Sequence, residues 1–349
     1  MRHGRVVVSR RPIEKDVMAA NENRPSEDTL IERYFAPLAG PGGLKLRDDA
    51  ALVSLPEETE LVTTVDMVVS GVHFFADDPA DAIAEKALGV NLSDLAAKGA
   101  DPLGFLLAIA LPVDWTEDWL ASFTKGLGVA AARGRCVLLG GDTTRASGPL
   151  VISITAFGSV PKGKMVPRTG AKPGDLIAVT GTIGDAALGL KIRTMPEAEW
   201  AGDLRELDYA FLLDRYLRPK PRNAIGSGLR SYANAAMDVS DGLIGDVAKM
   251  LRASGVTGAI EIEKVPLSSG AQQAIAMHPV LMADAVTGGD DYEVVFTLPR
   301  ERLDAMQMAA RTSNIPITVI GEVKQGNAPL TVTHKGETFL TRTGSYSHF

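Results

Sequence analysis

Residues 79–112 read PADAIAEKALGVNLSDLAAKGADPLGFLLAIALP, and the change of period inside this stretch decides the fold class. From Pro79 to Asp101 the segment is rich in Ala and Leu, and its apolar residues recur at intervals of three and four, the period of a helix. From Leu103 to Pro112 the apolar run is short and nearly continuous, as in a buried strand. The same alternation continues: WTEDWLASFTKGLGVAAARG (115–134) reads as a helix, then CVLLG (136–140) and LVISITAFGSV (150–160) as strands. Upstream, SEDTLIERYF reads as a helix capped by Ser26, and ALVSL (51–55) and ELVTTVD (60–66) read as strands. Helices and strands mixed in this way predict an α/β or α+β architecture, not a bundle or a sandwich.

The loop PKGKMVPRTGAKPG (161–174) is dense in Gly, Pro and basic residues and reads as a domain boundary. Beyond it, DLIAVTG, ANAAMDVS, AIEIEKV, YEVVFTL, ITVIGEV and LTVTH read as strands, and TIGDAALGLKI, DGLIGDVAKMLRASG and RERLDAMQMAART as helices. The expected organisation is a disordered arm over 1–25, a first domain over 26–160 and a second over 161–349. A length of 349 residues suits two domains better than one.

Composition narrows the function. Charged residues are 23% and the formal net charge is −7, which argues against a nucleic-acid partner, since phosphate backbones are bound by surplus Lys and Arg. The longest apolar stretch, LGFLLAIALP, is far short of a membrane span, and the single cysteine, Cys136, in an apolar run, reads as an inert buried thiol. A cytoplasmic protein is expected. Neither GxxxxGK[ST] nor a GxGxxG after a strand occurs, so nucleotide binding here needs a different phosphate cradle.

Aspartates carry the chemistry. Asp48/Asp49, Asp66, Asp94, Asp142, Asp238, Asp241 and Asp290/Asp291 sit in or just after apolar or Gly-rich stretches. Buried carboxylates need a partner, and a hard divalent cation such as Mg²⁺ is the obvious one. In LGGDTT (139–144), Gly140 and Gly141 would let backbone amides approach an anion beside Asp142, or the segment is an ordinary turn. In DVSDG, Asp238 and Asp241 flank Ser240 at a helix start; capping explains one acid and leaves the other over. Asp94 lies within a helix, and Asp66 reads as the last residue of its strand, pointing off the sheet edge. Taken alone, His73 reads as a core histidine and Arg168 as a solvated loop charge.

In their order along the chain, DDAALV, TTVDMVVSGVHF, ALGVNLSDLAAKGADP, LLGGDTT, PRTGAKPGDLIAVTG, MDVSDGL and TGGDDYEVVFT resemble the thiamine-monophosphate kinase family, in the superfamily of aminoimidazole ribonucleotide synthetase and selenophosphate synthetase. The resemblance spans residues 26–349. It implies Mg²⁺-dependent transfer of the γ-phosphoryl group of ATP to thiamine monophosphate, giving thiamine diphosphate and ADP. It implies a two-domain fold, an N-terminal α/β domain that dimerises through its sheet and a C-terminal α+β domain. Carried over by motif, the metal ligands are Asp49, Thr64, Val65, Asp66, Asp94, Asp142, Asp238 and Asp241. The ATP contacts are Gly141, Asp142, Arg168 and Ser240, and the thiamine monophosphate contacts are His73, Asp290 and Tyr346.

The sequence departs from the family pattern at Arg47, Val65, Ser70, Asp290, which stands for the usual Glu, and the GSYSHF ending. A ligand from residue 65 must therefore be its backbone carbonyl. Two other readings differ in what they require. A selenophosphate synthetase would need a reactive Cys or selenocysteine in a Gly-rich N-terminal segment, and a silent thiamine-diphosphate-binding protein would be expected to lack some of the acids.

Overall fold

The structure, a computed structural model, describes residues 25–340. Nearly all of the predicted arm, and the predicted substrate contact Tyr346, lie outside the described residues. The chain folds into two domains, each built on one sheet.

The first sheet has strands β1 (Thr59–Val69), β2 (Asp101–Leu111), β3 (Val137–Arg145) and β4 (Val151–Pro161), in the order β1-β4-β2-β3. Pairings β1/β4 and β4/β2 are antiparallel and β2/β3 is parallel. Phe105, Leu107 and Ile109 on β2 and Ile152, Ile154 and Ala156 on β4 are buried on one face, against helices α2 (Ala80–Ala97) and α3 (Glu117–Gly134). The short helix α1 (Glu27–Leu30) precedes them, with Ser26 as its cap. On α3, Thr116 accepts the Trp119 N–H at 3.1 Å, and Glu117 and Asp118 occupy the first turn, where carboxylates favour the helix dipole. The other face of the sheet is open: Leu61, Val65 and Met67 are 45%, 61% and 55% exposed.

Helix α2 is buried on every side; of its residues only Asp81 and Asp94 are not buried. A helix without a polar face needs cover all round. Here the first sheet lies on one side, while Ala96 and Ala97 pack into a core of the second domain with Leu176, Val294 and Phe296.

The second domain contains β5 (Leu176–Thr180), α4 (Asp185–Thr194), α5 (Glu199–Gly202), α6 (Glu206–Leu217), α7 (Gly226–Tyr232), β6 (Ala235–Val239), α8 (Leu243–Ala253), β7 (Thr257–Glu261), α9 (Ser269–Met277), α10 (Leu281–Thr287), β8 (Glu293–Leu298), α11 (Leu303–Thr312), β9 (Ile317–Lys324), β10 (Thr331–His334) and β11 (Glu337–Thr338). Its sheet runs β11-β10-β7-β9-β5-β8-β6, antiparallel except for β10/β7. Strands β5, β6 and β8 are buried at every position, because cores lie on both faces: Ile177, Met237 and Val295 on one, Ala178, Ala236 and Phe296 on the other. Among the described residues no helix is long and apolar enough to cross a membrane.

Three local expectations fail. ALVSL is not a strand; Leu52, Val53 and Leu55 are 66%, 38% and 42% exposed and find no neighbouring strand. Asp66 is not the end of its strand, since β1 continues to Val69. LGGDTT is not a turn but part of β3. Gly141 there lies so close to β2 that a Cβ would fall 1.8 Å from the Leu107 carbonyl oxygen.

Candidate active site

Between the two domains lies a cavity of about 860 Å³ whose wall includes Asp66, His73, Asp94, Asp238, Ser240, Asp241 and Asp290. Strand β1 delivers the first of these on its helix-covered face. The Thr64 hydroxyl donates to Asp94 Oδ2. The backbone N–H of Asp66 donates to Asn91 Oδ1 at 3.0 Å, and the Asn91 amide in turn donates to the Ala87 carbonyl at 3.0 Å. Helix α2 therefore fixes β1 and presents Asp94 beside Asp66.

Beyond β1 the chain turns back on itself, and the Val69 N–H donates to His73 Nδ1 at 3.1 Å. In the neutral ring this leaves the proton on Nε2 as a donor.

From the second domain, Asp238 is the penultimate residue of β6, at 6% exposure, and Ser240 and Asp241 follow in the loop before α8. Neither Asp238 nor Asp241 caps that helix. Gly242 holds the N-cap position, and Asp246, in the first turn, reaches back to the loop, where its Oδ2 accepts the N–H groups of Ser240 at 3.1 Å and Asp241 at 2.9 Å. Lys249 bridges Asp246 and Asp241. Asp246 thus holds the loop and leaves Asp238 and Asp241 directed at the cavity.

The loop Gly288–Tyr292 closes the wall. Its backbone is tied to the Asp238 loop, Asp290 N–H to Ser240 O and Tyr292 N–H to Val239 O, both at 2.9 Å. Close approach requires Gly289, where a Cβ would sit 2.2 Å from Ser240 O. Asp290 and Tyr292 adopt φ of 70° and 51°, the left-handed region.

Electrostatics mark the site. Burial, and then the charge of Asp94, pushes the Asp66 carboxyl up to about 6. Burial, and again Asp94, raises Asp238. Carboxyls raised in this way favour an added cation, and their hard oxygen donors fit Mg²⁺. Lys98 lies near Asp94 and Asp238, and its Nζ donates to the Ala236 carbonyl at 2.7 Å. Burial, and then Arg168, pushes its ammonium down to about 8, against the opposing pull of Asp238 and Asp94. Sequence reading passed over Lys98, although it lies four residues after Asp94 in the same motif. It places exposed Arg168 next to the acid cluster through Lys98.

Asp49, Gly141 and Asp142 lie elsewhere. With Asp48 and Gly140 they line a second cavity of about 720 Å³. Register makes the separation explicit: Asp66 pairs with Ile154, Ile154 with Leu107, and Leu107 with Gly141. Asp142, one residue on, is level with Ala108, Ser153 and Met67, the open face. Val65, on the same face as Met67, turns its side chain away from Asp66 and Asp94. Among the described residues no three His, Cys, Asp or Glu side chains converge as a metal-ligand set. Cys136 is remote from this chemistry, its thiol pushed up to about 12 by burial.

Comparison with known proteins supplies the family. Residues 47–160 match the model of the AIR synthase related protein N-terminal domain and residues 172–331 that of the C-terminal domain. The chain is 41% identical to the thiamine-monophosphate kinase of Escherichia coli (strain K12), over 93% of this chain and 98% of that one. It superimposes on the crystal structure of thiamine-monophosphate kinase from Stenotrophomonas maltophilia K279a with a TM-score of 0.76 and 39% identity, covering 84% of this chain and 91% of that one. For AaThiL complexed with AMPPCP and TMP, the TM-score is 0.74 at 30% identity, over 92% and 94% of the two chains. The chain therefore belongs to the thiamine-monophosphate kinase family of AIR synthase related proteins.

Proposed function

We propose that this protein transfers the γ-phosphoryl group of ATP to thiamine monophosphate, forming thiamine diphosphate and ADP, with Mg²⁺ and as a homodimer. The observation that carries the reading is the interdomain cavity, in which Asp66, Asp94, Asp238 and Asp241 stand together with His73 and Asp290. Family membership points the same way, as does a relative solved with AMPPCP and TMP.

The chemistry explains the choice of residues. The nucleophile is a phosphate oxygen of the acceptor, already largely anionic near neutral pH because its second pKa is about 6. No protein base is needed, and the cavity offers carboxylates whose task is charge and position. These carboxylates would hold Mg²⁺, which would supply positive charge to offset the negative charge of the phosphate groups. Asp49, Thr64, the Val65 carbonyl, Asp66, Asp94, Asp142, Asp238 and Asp241 are the proposed ligands. Gly141, Asp142, Arg168 and Ser240 would bind ATP, and His73, Asp290 and Tyr346 the acceptor. His73 suits that role through its Nε2 proton, a donor to phosphate oxygen.

The homodimer follows from the division of the ligands. Asp49 and Asp142 face away from Asp66, on the side of the sheet where Leu61, Val65 and Met67 are exposed. An apolar open sheet face calls for cover. A second copy packed there covers it and brings the second cavity against the edge of a neighbouring site. We place the division between the domains at residues 160 and 161, with 1–25 as an arm, and the protein in the cytoplasm, as its lone buried thiol suggests.

Release of ADP from ATP and Mg²⁺, followed with thiamine, thiamine monophosphate and selenide as alternative acceptors, tests the reading. Turnover with thiamine monophosphate alone is expected. Turnover with selenide or thiamine, and none with the monophosphate, overturns it.

A further inference from the structure

The ammonium of Lys86 is buried beside the interdomain cavity. Lys86 lies in α2, with its side chain 4% exposed, and its Nζ is 2.7 Å from Asp290 Oδ2. It also sits 4.0 Å from the centroid of the Tyr216 ring, which offers its negative face. Among the described residues Asp290 is the only carboxylate within ion-pairing distance of Lys86. An ammonium this deep is strongly unfavourable without a partner, so the two groups constrain each other.

The pair is asymmetric. The Asp290 side chain is 28% exposed, against 4% for Lys86, so the carboxylate has the cation behind it and the cavity in front. Its second oxygen accepts the Tyr292 hydroxyl at 3.3 Å, and its own backbone, at φ 70°, is tied to Ser240 O. Asp290 belongs to the second domain and Lys86 to the first.

We propose that Lys86 is a positioning residue for the acceptor substrate: its buried ammonium, reaching across from the first domain, fixes the carboxylate of Asp290 in the cavity wall. The inference rests on the reading of Asp290 as an acceptor contact. Lys86 touches no substrate atom in this scheme; it acts through Asp290, and ATP binding does not depend on it.

Lys86→Met keeps the stem and removes the charge. Steady-state kinetics should show the KM for thiamine monophosphate raised about ten-fold, the loss of one charge-assisted hydrogen bond, with the KM for ATP unmoved. The double variant Lys86→Met/Asp290→Asn should be no worse than Asp290→Asn alone, because one residue acts through the other. An unchanged acceptor KM, an equal rise in the KM for ATP, or additive effects in the double variant would overturn the proposal. If Lys86→Met does not fold, Lys86→Gln, which keeps a donor without charge, is read by the same criteria. A wild-type protein that does not phosphorylate thiamine monophosphate sinks the functional reading and this inference with it. An active wild type with unaffected Lys86 variants sinks this inference alone.

Discussion

Asp66 and Asp142 are one residue out of register across the first sheet and so lie on its opposite faces, three strand spacings apart, or about 14 Å. A Mg²⁺ ion holds its oxygen ligands at about 2.1 Å, so one ion cannot bind both carboxylates of a single chain. If both serve the same reaction, the second must come from another copy.

This makes the open sheet face the first target. Leu61→Glu places a charge on an exposed apolar position of that face without touching either cavity. Sedimentation should report a dimer for the wild type and a monomer for the variant, with turnover reduced at least ten-fold, about 1.4 kcal/mol of lost transition-state stabilisation or more. A wild type that sediments as a fully active monomer removes the second copy from the account.

Asp94 should show opposite effects on activity and stability. Its charge raises both Asp66 and Asp238, so Asp94→Asn relieves repulsion while the amide oxygen can still accept the Thr64 hydroxyl. Turnover should fall by roughly a hundred-fold or more, as for loss of an electrostatic group at a reacting centre. The melting temperature without metal should stay constant or rise by about 2–4 °C. A marked fall in melting temperature would make Asp94 a structural residue instead.

The pH dependence of metal binding follows from Asp66. Its carboxyl moves from 3.8 to about 6 on folding. Without metal, the stability linked to this group is complete below its unfolded value and is lost as pH rises through the folded one, since the folded state prefers the neutral form. Mg²⁺ requires the ionised form, so binding displaces that proton and strengthens with pH. Thermal unfolding should therefore show a small Mg²⁺-induced rise in melting temperature at about pH 5 and a larger one at about pH 8, both reversed by EDTA. An equal rise at the two pH values, or none, contradicts the proposed ligand role.

Asp290 and Asp291 are adjacent but should separate cleanly. Asp291 is fully buried, its oxygens accepting the N–H groups of Gly184 at 2.7 Å and Ala186 at 3.1 Å, so it caps α4 from a distant loop. Arg215 donates to its carbonyl at 2.8 Å and to Glu293 at 3.0 Å. Asp291→Ala should cost about 3 kcal/mol or more by denaturant unfolding, whereas Lys86→Met/Asp290→Asn, which removes the buried ion pair as a whole, should change stability little. Similar losses for both would mean that the loop is structural throughout.

How much of this was legible in the chain differs by element. Helix α2 and strand β2 were readable because a period of three to four gives way to a continuous apolar run, and Ser26 announced a helix start by local capping. ALVSL carried the composition of a strand without a neighbour to pair with. The acids could be located in sequence, but their faces could not: Asp66 and Asp142 differ in orientation through strand register, which depends on β2 and β4 lying between them. Lys86, Lys98 and Asp291 were not assigned for the same reason. Lys86 meets a partner 204 residues away and Asp291 caps a helix 107 residues earlier, contacts that no local pattern records.

The central claim is the transfer itself, and ³¹P nuclear magnetic resonance of one reaction tests it most directly. Purified protein given ATP, Mg²⁺ and thiamine monophosphate should lose the γ-phosphate resonance of ATP as the paired resonances of thiamine diphosphate and ADP grow in equal amounts, with no orthophosphate. Orthophosphate appearing in place of thiamine diphosphate, or ATP left intact, would contradict the account.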